Sequence, residues 1–417
     1  MSLDETASMF RAANKRGLLK DASSAIFHHL GLMRARIAIL RDAFPPTCLH
    51  AIAIKANPVV GVLREIVRLG AGLEAASIEE VELALAAGCP PEQIVYDSPA
   101  KTSAEIRRSL ELGVYLNADN FNELDRIAAA HKLHNSQSIV GLRINTMVGA
   151  GAIEYTSVSA ASSKFGVPLK ADREKILAAF ATHPCLAGLH IHVGSQGCSL
   201  VQLSEAAARI AELRQEIASR TGRLVSYVDI GGGLPTSYRT GEPAPTPAEY
   251  RSLLEHRAPE LFRSDVRLVT EFGRAVHANC GIAASRVEYT KPAQRLAVIH
   301  LGADFLLRPV YRPENWHHEL FVLNASGMPK PGRPEPVTLA GPLCFAGDII
   351  ARDVMLPPIL PGDWMIIRDV GAYTLSMWSR HCSRAIPAVL GYDPVQCDSL
   401  RFLRKAETPN DVVRFWS

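Results

Sequence analysis

The sequence HAIAIKANP, at residues 50–58, predicts a buried β-strand that ends in a lysine. The run is short, apolar and stopped by Pro58, which is typical of a strand covered on both faces. Burial disfavours the charged form of a lysine, so Lys55 is a candidate amine nucleophile that forms a Schiff base with a carbonyl compound. A lysine that reaches from the strand end into water is the alternative, and this stretch alone favours it.

Short apolar runs and helical patterns alternate after this strand. Some of the helices open with cap residues, such as Ser77 with Glu80 three residues later. Eight strands alternating with helices over about 250 residues predict a parallel (β/α)8 TIM-like barrel, with a doubly wound open sheet as the alternative. An amphipathic helix is predicted ahead of them at residues 22–44. The predicted strands lie at residues 49–56, 72–77, 93–98, 114–119, 139–145, 187–194, 227–233 and 267–274.

The pattern changes after residue 285, where Pro- and Gly-rich turns separate strand-like runs without helices between them. This composition predicts a second, antiparallel β domain. We therefore expect a barrel domain over residues 22–285 and a C-terminal β domain over residues 286–417 that also includes residues 1–21. The predicted strands of the second domain lie at residues 295–301, 318–324, 336–340, 364–369 and 385–390.

The composition excludes several classes of function. A net charge of +3, from 45 basic and 42 acidic residues, argues against a nucleic-acid or membrane partner. The 8 cysteines show no CxxC pair, which indicates neither a metal site nor a disulfide framework and favours the reducing cytoplasm. The acidic N-terminal stretch lacks an apolar signal-peptide core, and no apolar run is long enough to span a membrane, so we expect a protein that is neither secreted nor membrane-spanning.

Polar residues and glycines collect at the C-terminal ends of the predicted strands, where such barrels carry their reactive groups. Three successive glycines uncover backbone N–H groups and let a phosphate approach, although a triple glycine is about as often only a tight turn. With Ser195 and Arg274 at neighbouring strand ends, they predict a phosphate site. The residues at the strand ends are Lys55, Arg143, His192, Ser195, Gly231, Gly232, Gly233, Glu271 and Arg274.

A Schiff-base lysine, a phosphate site and a carboxylate together meet the needs of pyridoxal 5'-phosphate. Glu271 would keep the pyridine nitrogen protonated, so that the ring accepts electrons when a bond at the substrate Cα breaks. His192 is either a histidine of the core or an imidazole that lies flat against the cofactor ring. The sequence therefore predicts an enzyme that uses this cofactor.

These motifs resemble the fold-type III pyridoxal-phosphate enzymes, which have an alanine-racemase-like barrel, and in particular the diaminopimelate/ornithine/arginine decarboxylase family. The resemblance covers residues 49–390 and implies that Lys55, His192 and Tyr373 contact the cofactor. It also implies a cofactor role for Glu74, where relatives carry aspartate, and for Arg143, Ser195, the three glycines, Glu271, Gly273 and Arg274. Phe272 stands where the family usually has proline. The matching segments are AIKAN (53–57), GLHIHVGSQ (188–196), DIGGG (229–233), EFGR (271–274) and GAY (371–373).

The segment GPLC, at residues 341–344, resembles the family motif that supplies a cysteine across a dimer interface to the partner's active site. This implies a head-to-tail homodimer with two shared sites. Cys344 would then return a proton to the substrate carbon after CO₂ leaves. Without the resemblance, a buried core cysteine would be the favoured interpretation.

Two differences from the family's sequence pattern give information about the substrate. Phe345 follows the cysteine where the family has an acidic residue that pairs with a distal amine, and an unpaired buried charge is costly. Arg308, followed by Tyr311 one residue closer than usual, resembles the arginine that holds a distal carboxylate. We therefore predict a decarboxylase for an amino acid with a distal carboxylate, of the kind found in siderophore pathways.

Three other interpretations remain open. The first is a meso-diaminopimelate decarboxylase that makes L-lysine, with other groups binding the distal amine. The second is a racemase of the alanine-racemase type, against which the cysteine motif argues. The third is a non-catalytic regulatory relative, which should have lost the lysine or the phosphate loop, both of which are present here.

Overall fold

The structure is a computed structural model that describes residues 1–160, 162–395 and 400–417. The chain forms two compact units. The barrel unit comprises Arg34–Thr236 and Pro243–Val276, and the β unit comprises Met1–Met33, Ser237–Glu242 and His277–Ser417.

The strands of the described residues, in chain order, are β1 (Ser24–His29), β2 (Leu49–Ala53), β3 (Gly72–Ala75), β4 (Ile94–Tyr96), β5 (Tyr115–Ala118), β6 (Val140–Asn145), β7 (Val167–Pro168), β8 (Leu186–His190), β9 (Tyr227–Asp229), β10 (Arg267–Thr270), β11 (Gly281–Lys291), β12 (Leu296–Ile299), β13 (Leu320–Leu323), β14 (Glu335–Ala340), β15 (Ile349–Leu356), β16 (Trp364–Arg368), β17 (Ala388–Tyr392) and β18 (Leu400–Arg404). The α-helices are α1 (Leu3–Lys15), α2 (Leu30–Ala43), α3 (Val60–Arg68), α4 (Ile78–Ala86), α5 (Ser103–Leu112), α6 (Phe121–His134), α7 (Arg173–Thr182), α8 (Leu200–Thr221), α9 (Pro247–Arg257), α10 (Arg274–His277), α11 (Leu307–Tyr311) and α12 (Pro409–Trp416).

The barrel unit contains a closed sheet of eight parallel strands, which confirms the predicted barrel and excludes the open sheet. The strands run in the order β5-β4-β3-β2-β10-β9-β8-β6, and β5 pairs with β6 to close the ring. Short strand β7 adds to the edge of β6. The predicted cap is present, since the Ser77 side chain accepts a hydrogen bond from Glu80 N at 3.2 Å. Asn120 caps α6 in the same way and accepts a hydrogen bond from Glu123 N at 3.0 Å.

The barrel interior changes character along its axis. At one level it is apolar and aromatic, with Tyr115 and Tyr227 stacked at a centroid distance of 4.7 Å. Gly188 allows this packing because a Cβ there would lie 2.5 Å from the Tyr227 ring. Beyond this layer, at the C-terminal strand ends, the buried side chains are ionisable, and they include Glu74, Asp97 and Glu271. The apolar layer therefore lies beneath a cluster of polar side chains at the strand ends.

The β unit is built on a nine-stranded sheet. Its main path is β15-β14-β12-β11-β1-β17-β18, with β16 paired to β11 and β13 paired to β16. Most pairs are antiparallel, as predicted, but β1 with β17 and β12 with β14 are parallel, so the sheet is mixed. Helix α1 packs on its core, where the rings of Phe10 and Trp364 meet edge to face at 5.1 Å.

The predicted helix at residues 22–44 is wrong over its first part. Residues 24–29 form β1, which pairs with β11 on one side and β17 on the other, and helix α2 begins only at Leu30. The β unit includes residues 237–242, 277–285 and 22–33, whereas the sequence assigned them to the barrel. Backbone pairing with strands far along the chain decides the conformation of this segment, because its own periodicity suits a helix.

No helix among the described residues is long and apolar enough to cross a membrane.

Candidate active site

Lys55 does not lie inside the strand that the sequence predicts at residues 49–56. Strand β2 ends at Ala53, and Lys55 sits in the single 3-10 turn Ile54–Ala56 that follows. Its Nζ donates a hydrogen bond to Glu74 Oε1 at 2.5 Å, from the end of the neighbouring strand β3. The amine is thus held at the C-terminal mouth of the barrel by a carboxylate that is itself fully buried.

Glu74 belongs to an acidic cluster with Asp97 and Glu271, whose carboxylate oxygens lie within 4.8 Å of one another. Burial raises the pKa of Glu74 well above its usual range, although the charge of Lys55 opposes this. Burial also opposes ionisation of Asp97, but the charge of Lys55 and a hydrogen bond with Glu74 outweigh it and hold the pKa of Asp97 below its usual range. The cluster therefore keeps a proton on one carboxyl and a charge on another.

Asp97 is a site residue that the sequence analysis missed. It follows β4 directly, and its Oδ2 lies 3.8 Å from Arg143 Nη1 and 3.6 Å from His190 Nε2. Arg143 also faces Asp119 at 3.8 Å and stacks over Phe165 at 4.5 Å. The sequence did indicate this residue, because Asp97 is charged, directly follows a buried strand and lies at the same barrel end as Lys55.

The side chains of Glu271 and His192 contact each other at the same end of the barrel. His192 Nδ1 lies 3.2 Å from Glu271 Oε2, and Gly232 N–H donates to the same Nδ1 at 3.3 Å. Burial and the neighbouring charges of Lys55 and Arg143 lower the pKa of His192 to about 3, so the imidazole is neutral. Burial, together with the charge of Asp97, raises the pKa of Glu271 to about 8.

Residues 231–233 form a loop at the end of β9 that packs tightly against its neighbours. Gly231 has φ +67°, and a Cβ there would overlap the carbonyl oxygen of Ile191. Its N–H donates to Asp229 Oδ1 at 2.8 Å, whereas the N–H of Gly233 donates to no described residue. Beside this loop, Arg274 Nη2 donates to Ser195 Oγ at 3.1 Å, so the predicted serine and arginine do meet.

The set of polar groups at these strand ends fits pyridoxal phosphate. It offers one amine, a guanidinium and hydroxyl beside a glycine loop, and a buried carboxyl whose Oε1, in Glu271, accepts no hydrogen bond from the described residues. These are the groups that the aldehyde, the phosphate and the pyridine nitrogen of the cofactor need. Phe272, which replaces the usual proline, does not disturb these groups. Its ring packs on the rings of Phe44 and Tyr250, at centroid distances of 6.2 Å and 6.1 Å.

The remaining predicted residues lie in the β unit. Tyr373 has a left-handed backbone, with φ +56°, and Gly371 before it approaches His277 so closely that a Cβ would overlap the His277 carbonyl. The guanidinium carbon of Arg308 lies 4.8 Å from the Tyr373 ring centroid and 4.8 Å from that of Trp316. The structure thus brings together Tyr373, predicted to contact the cofactor, and Arg308, predicted to bind a carboxylate.

Cys344, Phe345 and Tyr311 form another group of the β unit. Cys344 is exposed, and the rings of Phe345 and Tyr311 stack at 5.8 Å with an interplanar angle of 17°. Asp348 closes the turn that carries them, since it accepts hydrogen bonds from Leu343 N at 2.8 Å and Ala303 N at 2.6 Å. The thiol is therefore presented outward on a braced turn.

Comparisons with known proteins agree with this geometry. Residues 30–278 match the family described as pyridoxal-dependent decarboxylase, pyridoxal binding domain. Diaminopimelate decarboxylase from Pseudomonas aeruginosa is 32% identical over 357 residues, which cover 85% of this chain and 83% of the relative. The enzyme of the same name from Vibrio cholerae is 32% identical over 336 residues, covering 80% and 78%.

Solved structures show the same likeness. Diaminopimelate decarboxylase from Helicobacter pylori, complexed with L-lysine, superposes with a TM-score of 0.86 at 26% identity and covers 97% of this chain and 99% of that one. A lysine/ornithine decarboxylase from Vibrio vulnificus, complexed with putrescine, shares the fold with a TM-score of 0.74 at 23% identity, covering 90% and 95%.

A parallel barrel with a lysine, a glycine loop and a buried carboxyl at its strand ends, joined to a mixed β-sheet unit, defines the fold-type III pyridoxal-phosphate enzymes. Within that class, the chain belongs to the pyridoxal-dependent decarboxylase family. It is a pyridoxal-phosphate-dependent amino-acid decarboxylase, as predicted. This membership favours the decarboxylase over the racemase and the non-catalytic relative.

Proposed function

We propose that this decarboxylase removes one carboxyl group of meso-diaminopimelate and releases L-lysine. The observation that carries the proposal is the similarity to two bacterial diaminopimelate decarboxylases, each 32% identical over most of both chains. The chemistry of the β unit supports it, because the substrate has a carboxylate at its far end and the fork of Arg308 suits a carboxylate. This substrate was the alternative in the sequence analysis, and the siderophore-type substrate was its main prediction.

Different residues of the barrel would bind different parts of the cofactor. Lys55 is the amine that would hold the aldehyde end, and Arg274, Ser195 and the N–H of Gly233 would hold the phosphate. When bound, pyridoxal phosphate supplies an electron-accepting ring that takes up the electrons of the bond broken at the substrate Cα. Glu271 would pair with the pyridine nitrogen, and the neutral imidazole of His192 would pack against the ring.

Glu74 and Cys344 are the residues that transfer protons. Glu74 takes a proton from the Lys55 ammonium across their 2.5 Å contact, because its burial favours the protonated carboxyl. Cys344 returns a proton to the substrate Cα once CO₂ has left. Its exposure on a single chain suits a thiol that serves a second subunit, and we therefore propose a homodimer with two shared sites.

The decisive experiment measures CO₂ release and L-lysine formation by the cofactor-loaded protein. The panel contains meso-diaminopimelate, ornithine, lysine, arginine and amino acids with a distal carboxylate, including citryl-diaminopropionate. L-Lysine formed from meso-diaminopimelate supports the proposal. Turnover confined to compounds without a distal amine would overturn it.

One observation favours a second candidate, a substrate with a distal carboxylate and no distal amine. Phe345 lies where the family has an acidic residue, and its ring, stacked on Tyr311, carries no carboxylate to pair with an ammonium group. The same panel separates the two candidates.

We further propose that the enzyme works in the cytoplasm. Of the cysteines in the described part of the chain, all seven are free thiols, which suits a reducing compartment.

A further inference from the structure

The loop after β9 contains a segment that the sequence analysis did not single out. Residues 237–242 lie a few positions beyond the glycine loop, yet they pack within the β unit. In that segment Tyr238 is buried, and its ring meets Trp316 edge to face at 6.0 Å and His318 at 5.5 Å. We call Tyr238 and Trp316 the aromatic pair.

The segment that carries Tyr238 is anchored on both sides. Asn279 Nδ2 donates to Ser237 O at 2.9 Å, before the tyrosine. After it, Thr240 donates from N to Glu319 Oε1 at 2.7 Å and from Oγ1 to Glu319 Oε2 at 2.8 Å. Arg368 Nη1 also donates to Glu319 Oε2, at 2.6 Å. Hydrogen bonds therefore hold the residues on both sides of Tyr238 to the β unit, which limits the movement of its ring.

Trp316 lies between Tyr238 and Arg308 and contacts both. It is buried, its ring meets the edge of Tyr238, and the guanidinium carbon of Arg308 lies 4.8 Å from its centroid. Tyr373 provides a second ring at the same distance. A guanidinium stacked on ring faces has its N–H donors in the plane of the group, and a carboxylate binds such donors in pairs.

We propose that Tyr238 and Trp316 are positioning residues that hold Arg308 in the orientation needed to bind a carboxylate at the far end of the substrate, and thereby set its selectivity. The inference rests on the proposed function, in which Arg308 binds that carboxylate. Glu319 and Arg368 contribute by holding the segment that carries Tyr238. The aromatic pair acts through Arg308 and not on the reacting atoms.

The test compares two ligands that differ by a single carboxylate. L-Lysine keeps the far-end carboxylate of meso-diaminopimelate, and cadaverine lacks it. Calorimetric titration of the cofactor-loaded protein gives both dissociation constants without any need for turnover. We expect Trp316→Leu to weaken L-lysine binding about tenfold and to change cadaverine binding less than about twofold. Trp316→Phe, which keeps a ring, should retain most of the preference for L-lysine.

Trp416→Leu is the matched control, because Trp416 is an exposed tryptophan of α12 that also lies against an aromatic ring. It should leave both constants unchanged. If Trp316→Leu does not fold, Tyr238→Leu tests the other member of the aromatic pair with the same two ligands. Equal weakening of both ligands would overturn the inference, since a general structural defect would then explain the loss.

The inference and the proposed function fail in different ways. A parent protein that forms no L-lysine from meso-diaminopimelate overturns the proposed function, while the binding comparison remains measurable. A parent protein that binds cadaverine as tightly as L-lysine overturns the role of Arg308 and the inference with it.

Discussion

Lys55 Nζ and Glu74 Oε1 lie 2.5 Å apart, at the ends of the neighbouring strands β2 and β3. The carboxyl is fully buried and the amine is partly open to the barrel mouth. This pair joins the residue predicted to hold the cofactor to a carboxyl that favours its protonated form, and it is the basis of the first prediction.

Glu74→Gln should lower kcat about 100-fold, because the amide keeps the size of the side chain but cannot exchange a proton with Lys55. Glu74→Asp should cost less than about tenfold, since a shorter carboxyl still performs the exchange. Steady-state kinetics measures both, and the absorbance of the bound cofactor checks that it is retained. A kcat for Glu74→Gln equal to that of the parent would rule out this role.

Glu271 should make the stability of the cofactor-free protein depend on pH. Its pKa is about 8 in the folded protein and about 4.5 when unperturbed, so between these values the folded state binds more protons than the unfolded state. The free energy of unfolding should therefore fall as pH rises through this window, by at most about 1.4 kcal/mol per pH unit from this group. Urea unfolding from pH 5 to 9 measures it.

The matched variant for that measurement is Glu271→Gln, which has the same shape and does not titrate. Its free energy of unfolding should decline less steeply with pH than that of the parent. Glu74 and Asp229 also have raised pKa values, so some slope will remain in the variant. Parallel curves for the two proteins would contradict the prediction.

A mixing experiment tests the shared active site. Lys55→Ala and Cys344→Ala should each be nearly inactive, the second by roughly 100-fold or more because it lacks the proton donor. Mixed in equal amounts and allowed to exchange subunits, they should recover about a quarter of the parent activity, since half of the dimers then carry one intact site of two. Cys382→Ala, at another exposed cysteine, is the control and should remain active. No recovery after proven exchange would place both residues in the same subunit's site.

Phe345→Asp should raise kcat/KM for meso-diaminopimelate about tenfold, because it supplies an acceptor for the distal ammonium group. The lost stack on Tyr311 should cost little, since both rings are exposed on the chain. Phe345→Leu separates charge from size and should show no gain. A gain with leucine as large as that with aspartate would mean that the phenylalanine acts only by its bulk.

The barrel was predictable because parallel strands covered on both faces appear in the sequence as continuous apolar runs, such as the one before Lys55. The positions of Lys55, His192, Glu271 and Arg274 followed from the rule that reactive groups lie at the C-terminal strand ends. Asp97 fits the same rule, but its importance depends on its distance from Glu74 and Arg143, which only the closed barrel defines.

The sequence by itself determined the barrel, the class of cofactor and the residues at the strand ends, because local periodicity and motif spacing specify them. Tertiary structure alone decided that residues 24–29 form a strand, since pairing with β11 and β17 outweighs their helical pattern. It alone also placed Tyr238 against Trp316, and Trp316 against Arg308. Contacts between residues distant in the chain leave no periodic signal, so only the folded protein reveals them.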